Sequence, residues 1–251
     1  MQPAAFAAME ASRSLTSGTI TIDPMTPTLL FWHGHPATIV VRAPEIVFSQ
    51  ARPYHLDAME LQSAGFVFHR SSLAFAVAVT SLGKASTYRE SDVSVTLGRR
   101  VGPWLCMAAS VHMIQLEFGS TYKTQRFALA DVGLVGTSGR FEFGASMTDL
   151  GAPSVNGRIT MPSRYRAAVS YRYSPRLVLR TGAEYRGHWE IGIGETMLIQ
   201  RNFHLRAELH APPLRLLAGI RLTLGEFFFD LVHRDHPDLG GDQIFAIGWH
   251  L

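Results

Sequence analysis

Charge is scarce in this chain of 251 residues, and long apolar runs are absent. Charged residues make up 17% of the sequence and hydrophobic residues 47%, whereas about 25% of a typical soluble domain is charged. Intrinsic disorder requires the opposite balance and is therefore excluded. The longest uninterrupted apolar run is Leu73 to Val79, and a membrane-spanning helix needs about 20 residues. The chain is apolar overall but offers no candidate for a spanning helix.

Cysteine and lysine are almost absent as well. Cys106 is the single cysteine, which excludes a disulfide framework and a thiolate metal site. Lys84 and Lys123 are the only lysines, and no run of basic residues is longer than Arg99-Arg100. Nucleic-acid binding needs a concentrated basic surface, so we expect none despite a net charge of +3.

What the sequence does contain is a period of two. In the clearest case Tyr165, Ala167, Val169, Tyr171 and Tyr173 alternate with Arg164, Arg166, Ala168, Ser170 and Arg172. Successive side chains of a strand point to opposite faces, whereas a helix would scatter these arginines around its circumference. The pattern therefore predicts strands with one apolar and one polar face.

The same alternation recurs almost to the last residue and predicts fourteen strands. They are expected over 45–51, 60–70, 72–82, 86–99, 103–117, 123–136, 139–149, 163–173, 176–187, 189–200, 203–211, 214–224, 226–234 and 242–250. Most of them are longer than the 5 to 6 residues of an ordinary globular strand and fit the roughly 9 to 11 residues of a transmembrane strand. Tight turns are expected at Ser71, Ser174-Pro175, Pro212-Pro213 and Gly225, with longer loops at 150–162 and 235–241.

These strands predict an all-β fold, a single antiparallel transmembrane β-barrel of about 14 strands. In hydrocarbon every backbone group must be paired internally, so the sheet has to close. We expect residues 36–251 to form the barrel and residues 1–35 to form a short segment able to enter its lumen. The segment has no basic residue before Arg13 and too short an apolar stretch for a signal peptide, so the sequence shows no export signal.

The polar faces of these strands are expected to line the lumen. An arginine facing lipid near the midplane would cost roughly 2–4 kcal/mol, and one facing a wet or ion-paired lumen would cost little. The arginines could line an anion-selective path, could bind a carboxylate head group or could be neutralised in cross-strand ion pairs, and we favour the ion pairs. The lumen-lining candidates are Arg164, Arg166, Arg172, Arg180, Glu184, Arg206, Glu208, Arg221 and Asp230.

Aromatic residues cluster near the predicted strand ends. They are expected either to form interfacial girdles or to be scattered core residues. The residues concerned are Trp104, Tyr165, Tyr185, Trp189, Phe203 and Trp249.

Three stretches carry a resemblance to a known family. Phe31-Trp32-His33-Gly34-His35-Pro36-Ala37 is similar to an aromatic-Asn-Pro-Ala segment, with His35 in place of the asparagine. The stretch 49–54, together with 60–63, resembles a first hairpin, and the stretch 230–240 resembles a closing His-Pro-x-Leu-Gly hairpin; 182–186 fits as well. The chain thereby resembles the PorV/PorQ-type outer-membrane proteins, which are related in architecture to the FadL long-chain fatty-acid channels.

The resemblance implies a location in the bacterial outer membrane and two candidate roles. The first is a non-enzymatic accessory or partner-docking barrel of an envelope complex, as in type IX secretion. The alternative is a FadL-like conduit for hydrophobic small molecules. The expected partners are outer-membrane lipid and other envelope or secretion-complex proteins, without nucleic acid, and no cofactor is expected.

Other candidate sites are weak. His233, Asp235, His236 and Asp238 have the spacing of a turn rather than of a zinc site, and a pair such as His33 and His35 needs further ligands. Gly192 and Gly194 precede no helical pattern, so a dinucleotide loop is not expected. We therefore predict no metal or cofactor site in these stretches.

A membrane-embedded hydrolase built on Ser110 and His112 is the least favoured function. The two residues would face the lumen together, but the sequence has no nucleophile elbow and no identifiable orienting acid. We expect no enzymatic activity.

Overall fold

The computed structural model describes residues 34–53, 59–84, 88–119, 124–151, 154–155, 159–160, 162–235 and 240–251. Its strands in chain order are β1 (Glu45–Arg52), β2 (Leu61–Arg70), β3 (Leu73–Lys84), β4 (Tyr88–Arg100), β5 (Leu105–Glu117), β6 (Gln125–Ser138), β7 (Phe141–Leu150), β8 (Ser154–Val155), β9 (Ile159–Thr160), β10 (Arg164–Ser174), β11 (Leu177–Tyr185), β12 (Trp189–Gln200), β13 (Phe203–Ala211), β14 (Arg215–Leu224), β15 (Phe227–Arg234) and β16 (Asp242–His250). A 3₁₀ helix spans Pro36–Val40. Within the described ranges, no helix is long and apolar enough to cross a membrane.

Fourteen of these strands form one closed antiparallel barrel, which confirms the predicted fold. Each barrel strand pairs with its neighbour in sequence, and β7 pairs with β10 because β8 and β9 form a separate hairpin. The barrel closes where β1 pairs with β16, from Glu45 opposite His250 to Arg52 opposite Gln243. The predicted strands match the observed ones closely, while the small β8–β9 hairpin lies in a stretch predicted as a loop.

The outer face of the barrel is apolar across most of its height. Large hydrophobic side chains are exposed there on successive strands, and they would be costly in water but suit lipid. Examples from around the circumference are Phe48, Phe75, Val95, Val111, Val132, Val169, Ile193, Leu209, Ile220 and Phe245. The alternation of the sequence is thus the alternation of a lipid-facing and a lumen-facing side.

Aromatic residues lie at both ends of this apolar band. Trp104 and Trp249 are exposed at the end that carries the short turns, and Tyr165, Tyr185 and Trp189 are exposed at the other end. The Tyr185 and Trp189 rings lie 5.2 Å apart between centroids. Phe203, the sixth predicted aromatic, is half-buried. The arrangement is typical of interfacial girdles.

The two rims of the barrel differ. One rim, here called the short-turn rim, carries the tight connections 71–72, 139–140, 175–176, 201–202 and 225–226. The opposite rim, here called the long-loop rim, carries the four longest connections, 53–60, 118–124, 151–163 and 235–241, beside short ones at 85–87, 186–188 and 212–214. Outer-membrane barrels have short periplasmic turns and longer external loops, so the long-loop rim is the expected outer side.

The barrel wall begins at Glu45, and the described residues from 34 to 42 lie inside the barrel. His35, Ala37 and Ile39 are almost completely buried, and the 3₁₀ helix contacts β3, β4, β5 and β6. Residues 34–42 are here called the plug segment. Residues 1–33 lie outside the described part, so the predicted segment over 1–35 stays a prediction.

Two glycines make room for the plug segment. A Cβ on Gly98 would lie 2.4 Å from Val40 Cγ2, and one on Gly133 would lie 3.2 Å from Pro36 Cδ. A side chain at Gly98 would therefore force Val40 of the plug segment to shift, because real Cβ atoms do not approach other carbons so closely.

Candidate functional site: the interior of the barrel

The interior is divided into a charged side and an apolar side. The charged wall consists of the inward residues of β7 and β10–β13. The apolar wall consists of the inward residues of β1–β3 and β14–β16, where two hydrophobic clusters lie one above the other. Charged side chains are almost never buried without partners, so the pairing on the charged wall decides what it can do.

Ion pairs neutralise much of the charged wall. Arg164 Nε lies 2.9 Å from Asp149 Oδ2, and both side chains are almost fully buried. Arg166 donates from Nε to Glu184 on the paired position of β11. Buried pairs of this kind hold neighbouring strands in register, because breaking one leaves a charge in a medium of low dielectric constant.

A second group of charges lies on β12–β14. His210 Nε2 lies 2.7 Å from Glu208 Oε1, and its Nδ1 lies 3.5 Å from Glu190 Oε1. Arg215 forms an ion pair with the same Glu190 carboxylate. Two acids, one histidine and one arginine thus form a compact network at this level of the wall.

The remaining predicted lumen residues have different environments. Arg180 is buried and donates from its NH2 group to the backbone oxygen of Glu195 at 2.9 Å. Arg206 is half-buried and lies across Gly219. Arg221 binds Asp230 with two hydrogen bonds of 2.9 and 2.7 Å. Arg172 is exposed at the short-turn rim.

A buried carboxylate–histidine–carboxylate array on β4–β6 was missed by the sequence analysis. His112 Nδ1 lies 3.1 Å from Asp92 Oδ2, and His112 Nε2 lies 2.9 Å from Asp131 Oδ2. Asp131 lies at a register shift between β6 and β7 and accepts the backbone N–H of Asp149 at 2.8 Å. The only signal was Asp131 on an otherwise apolar face, which alternation alone does not interpret.

This array does not form a nucleophilic site with Ser110. Both Ser110 and His112 face the lumen as predicted, but the Ser110 hydroxyl pairs with Thr96 at 2.8 Å. The histidine has carboxylates at both ring nitrogens, so no base is directed at the serine. Acyl transfer requires the nucleophile and the base within hydrogen-bond reach.

The structure describes only some of the residues of the other candidate sites. Among the described residues, no group of three or more His, Cys, Asp or Glu side chains is placed to hold a metal. His233 and Asp235 are exposed, and His33, His236 and Asp238 lie outside the described residues. Gly192 and Gly194 lie within β12, where a Cβ on Gly194 would come within 2.8 Å of the Ala207 carbonyl oxygen.

On the apolar wall, one cluster lies near each rim. The cluster near the long-loop rim contains Ala51, Leu61, Leu82, Leu217, Val232 and Ile244. The cluster near the short-turn rim contains Val47, Val67, Ala74, Ala76, Ala78, Phe228 and Ala246. One polar row separates them, in which Thr80 donates to Ser63 at 3.1 Å and Arg221 pairs with Asp230.

The plug segment bridges the two walls at the short-turn half of the barrel. Ile39 packs into the apolar cluster there, and its carbonyl oxygen lies 2.6 Å from His69 Nε2. Ser146 donates to the Gly34 carbonyl at 3.0 Å. Burial lowers the pKa of His35 to about 4, with Arg166 of the charged wall as the second cause. The part of the segment before Arg42 therefore occupies this half of the lumen with mostly apolar side chains and a neutral histidine.

No family model matches the sequence, and no relative was found among curated proteins. Solved structures with a similar fold include bacterial outer-membrane proteins. A TodX deltaS2S3 mutant described as a monoaromatic hydrocarbon channel has a TM-score of 0.65 at 9% identity, covering 86% of this chain and 93% of that one. The Pseudomonas putida toluene transporter TodX has a TM-score of 0.59 at 10% identity, covering 85% and 90%.

A FadL homologue of Pseudomonas aeruginosa has a TM-score of 0.58 at 10% identity, covering 91% of this chain and 94% of that one. The chain thus has the fold of FadL-type bacterial outer-membrane barrels, in agreement with the predicted location. The FadL part of the resemblance is supported, whereas the PorV/PorQ and type IX secretion part has no support. Two of these neighbours are described as a channel and a transporter, and the expected lack of enzymatic activity in this chain stays a prediction.

Proposed function

We propose that this protein is a passive conduit for small hydrophobic molecules across a bacterial outer membrane. The apolar wall is the observation that carries the proposal. The lumen of a water-filled porin is polar, whereas here six strands place apolar clusters inward near both rims. The fold shared with hydrocarbon and toluene channels supports the same function.

The charged wall has a structural role in this proposal. Arg164 and Arg166 are engaged with Asp149 and Glu184, and Arg215 of the adjacent β14 pairs with Glu190, so these arginines do not form a row of free positive charge. An anion path requires uncompensated cations along its length. The pairs instead hold one side of the barrel in register, while the cargo follows the other side.

The plug segment closes this route in the structure described here. Ile39 is completely buried against Val47, Val67 and Phe228, so no apolar molecule can occupy the same space. Passage requires the segment to move, and the cost of exposing Ile39 is about that of one buried aliphatic side chain, roughly 1.5–3 kcal/mol.

The test is influx of a monoaromatic hydrocarbon into vesicles that contain the purified protein. Ala78→Phe fills the apolar wall, and Ala168→Phe is the matched substitution on the charged wall; both alanines face inward and are buried. Ala78→Phe should reduce influx by about tenfold, the effect of about 1.4 kcal/mol on a barrier, while Ala168→Phe should leave it nearly unchanged. Equal loss in both variants would contradict the route.

A second variant tests the plug. Ile39→Asp places a carboxylate in an apolar cluster, which costs several kcal/mol and should displace the segment. Influx of the hydrocarbon should rise. If a polar sugar of similar size enters as fast as the hydrocarbon in this variant, the protein is a general pore and the proposal is wrong.

The accessory docking role predicted from the resemblance stays a prediction. It requires stable association with another envelope protein. A mild-detergent pull-down from the native envelope, with bound proteins identified by mass spectrometry, tests it. A stoichiometric protein partner would support docking, and recovery of the barrel alone would count against it.

A further inference from the structure

The outer face of β1–β6 carries a polar row that the conduit does not use. Antiparallel pairing places six outward residues side by side, one on each successive strand: Gln50, Gln62, Ser81, Ser91, Gln115 and Arg126. The next outward row toward the short-turn rim is entirely apolar, and consists of Phe48, Ala64, Val79, Val93, Met113 and Ala128. The apolar band therefore ends along one line on these six strands.

The polar row is linked by hydrogen bonds to charged residues around it. Gln62 donates to Glu60 at 3.0 Å, and Gln50 donates to the same carboxylate oxygen. Arg89 Nε donates to Ser81 at 3.3 Å, and Arg126 Nε donates to Gln115 at 2.8 Å. A guanidinium carries five N–H donors, so one such bond positions the group without exhausting it.

The charge of this surface is positive. Among the described residues of this surface, the outward cations are Arg52, Arg89 and Arg126, and the outward anions are Glu60 and Glu117. The hydrogen bond from Gln62 lowers the pKa of Glu60, so that carboxylate is ionised. Even with both acids ionised, three cations face two anions, which favours a partner with negative charge.

The opposite side of the outer face has no such surface. On β10–β14, which are described throughout, Glu195 is the only charged residue pointing outward. The outward residues at the long-loop end there include Tyr165, Tyr185 and Trp189. The polar row is therefore a local feature and not a general property of this rim.

Below the polar row, the wall has an open groove. Its apolar part is lined by Phe48, Ala64, Val79, Phe245 and Ile247, and its polar end by Gln50, Gln62 and Ser81. The small side chain of Ala64 leaves space between its cross-strand neighbours Phe48 and Val79. The groove is thus apolar toward the middle of the membrane and polar toward the long-loop rim, as an acyl chain and its headgroup are.

We propose that the outer face of β1–β6 binds a phosphorylated, hydroxyl-rich lipid, with one acyl chain in the groove at Ala64 and the headgroup on the polar row. Arginine binds phosphate in a bidentate geometry, which assigns the phosphate to Arg89 and Arg126. The glutamine and serine side chains both donate and accept hydrogen bonds, as sugar hydroxyls require. This binding is independent of transport through the lumen.

The experiment is native mass spectrometry of the full-length protein in mild detergent with lipid A, phosphatidylglycerol or phosphatidylethanolamine. The wild type should retain lipid A in preference to the other two lipids. Ala64→Phe, and the double variant Arg89→Gln/Arg126→Gln, should each reduce retention of lipid A by about tenfold, equivalent to about 1.4 kcal/mol.

Matched controls separate this site from general lipid adhesion. Ala207→Phe places the same bulk on an outward alanine of β13, and Arg99→Gln/Arg140→Gln removes two exposed arginines near the short-turn rim. Both controls should retain lipid A within about twofold of the wild type, a difference of less than 0.5 kcal/mol by the same conversion. Equal retention of phosphatidylglycerol, unchanged retention in either test variant, or equal losses in the controls would each overturn the proposal.

Discussion

Two sides of the barrel interior are filled by side chains of opposite chemistry. Strands β1–β3 and β14–β16 fill the lumen mainly with leucine, valine, isoleucine and alanine, around the ion pairs Arg221–Asp230 and Arg234–Asp242. Strands β10–β13 fill it mainly with arginine, glutamate and histidine. The apolar side can separate from the plug segment at the cost of exposed area and of the hydrogen bond between His69 and the Ile39 carbonyl. The charged side is fixed by pairs that cannot be opened one partner at a time. We therefore expect the charged wall of this barrel to be more rigid than the apolar wall.

The largest expected effect is the loss of one charged partner. Arg166→Ala leaves Glu184 buried without its guanidinium, and we expect the free energy of unfolding to fall by about 3–5 kcal/mol. Unfolding in urea, followed by tryptophan fluorescence, measures this. The double variant Arg166→Met/Glu184→Leu should recover most of the loss. A double variant as unstable as the single one would show that the charged wall is not held by pairing.

Lowering the pH should weaken the contact between the plug segment and the charged wall. The pKa of His35 in the folded protein is about 4, below its usual value of 6.5, so the docked segment binds the proton more weakly than the released one. The docked segment is therefore most stable above about pH 6.5. As the pH falls toward 4, the free energy that favours docking decreases by up to about 3 kcal/mol.

Hydrogen exchange of residues 34–42 as a function of pH measures this release. Exchange should accelerate below pH 6.5 in the wild type, while His35→Asn should show much the same protection across the range. Protection that falls equally in both proteins would place the pH response elsewhere.

The smallest effect is expected on the outer face of the charged side. Glu195 is an outward carboxyl between Ile193 and Met197, in the middle of β12. Glu195→Leu should raise the free energy of unfolding by about 1 kcal/mol, because an acidic residue on the lipid face costs less than the 2–4 kcal/mol of a basic one. Leu209→Ile, a neighbouring outward position, serves as the neutral control. A loss of stability in Glu195→Leu would indicate that the carboxyl has a partner in the membrane.

Much of the fold follows from the spacing of residues. The segment 163–173 predicted a strand with its arginines inward, and Arg164 and Arg166 are buried on β10. Strand boundaries agree closely because turns such as Gly225, with φ +62°, interrupt the alternation. The β6 segment was harder, since Phe127, Leu129 and Asp131 all face inward and alternation gives no rule for that mixture.

The interior could be predicted only in part. Arg221 and Asp230 were both expected in the lumen, but their pairing depends on the register of β14 against β15. The array of Asp92, His112 and Asp131 joins three strands, and nothing local in the sequence indicates that contact. Arg172 shows the limit of the face argument, because its face is inward while its position at the strand end leaves it exposed.

The sequence by itself determined the class of the protein: a period of two over fourteen long segments specifies strands with a lipid-facing and a lumen-facing side, and hydrocarbon forces such a sheet to close. Only the tertiary structure decided how the interior is divided. Strands far apart in sequence become neighbours, as β1 and β16 do. Their contacts form the apolar clusters, the ion pairs and the site in which Ile39 packs. Alternation fixes the face on which a side chain lies, whereas register and closure fix its partner.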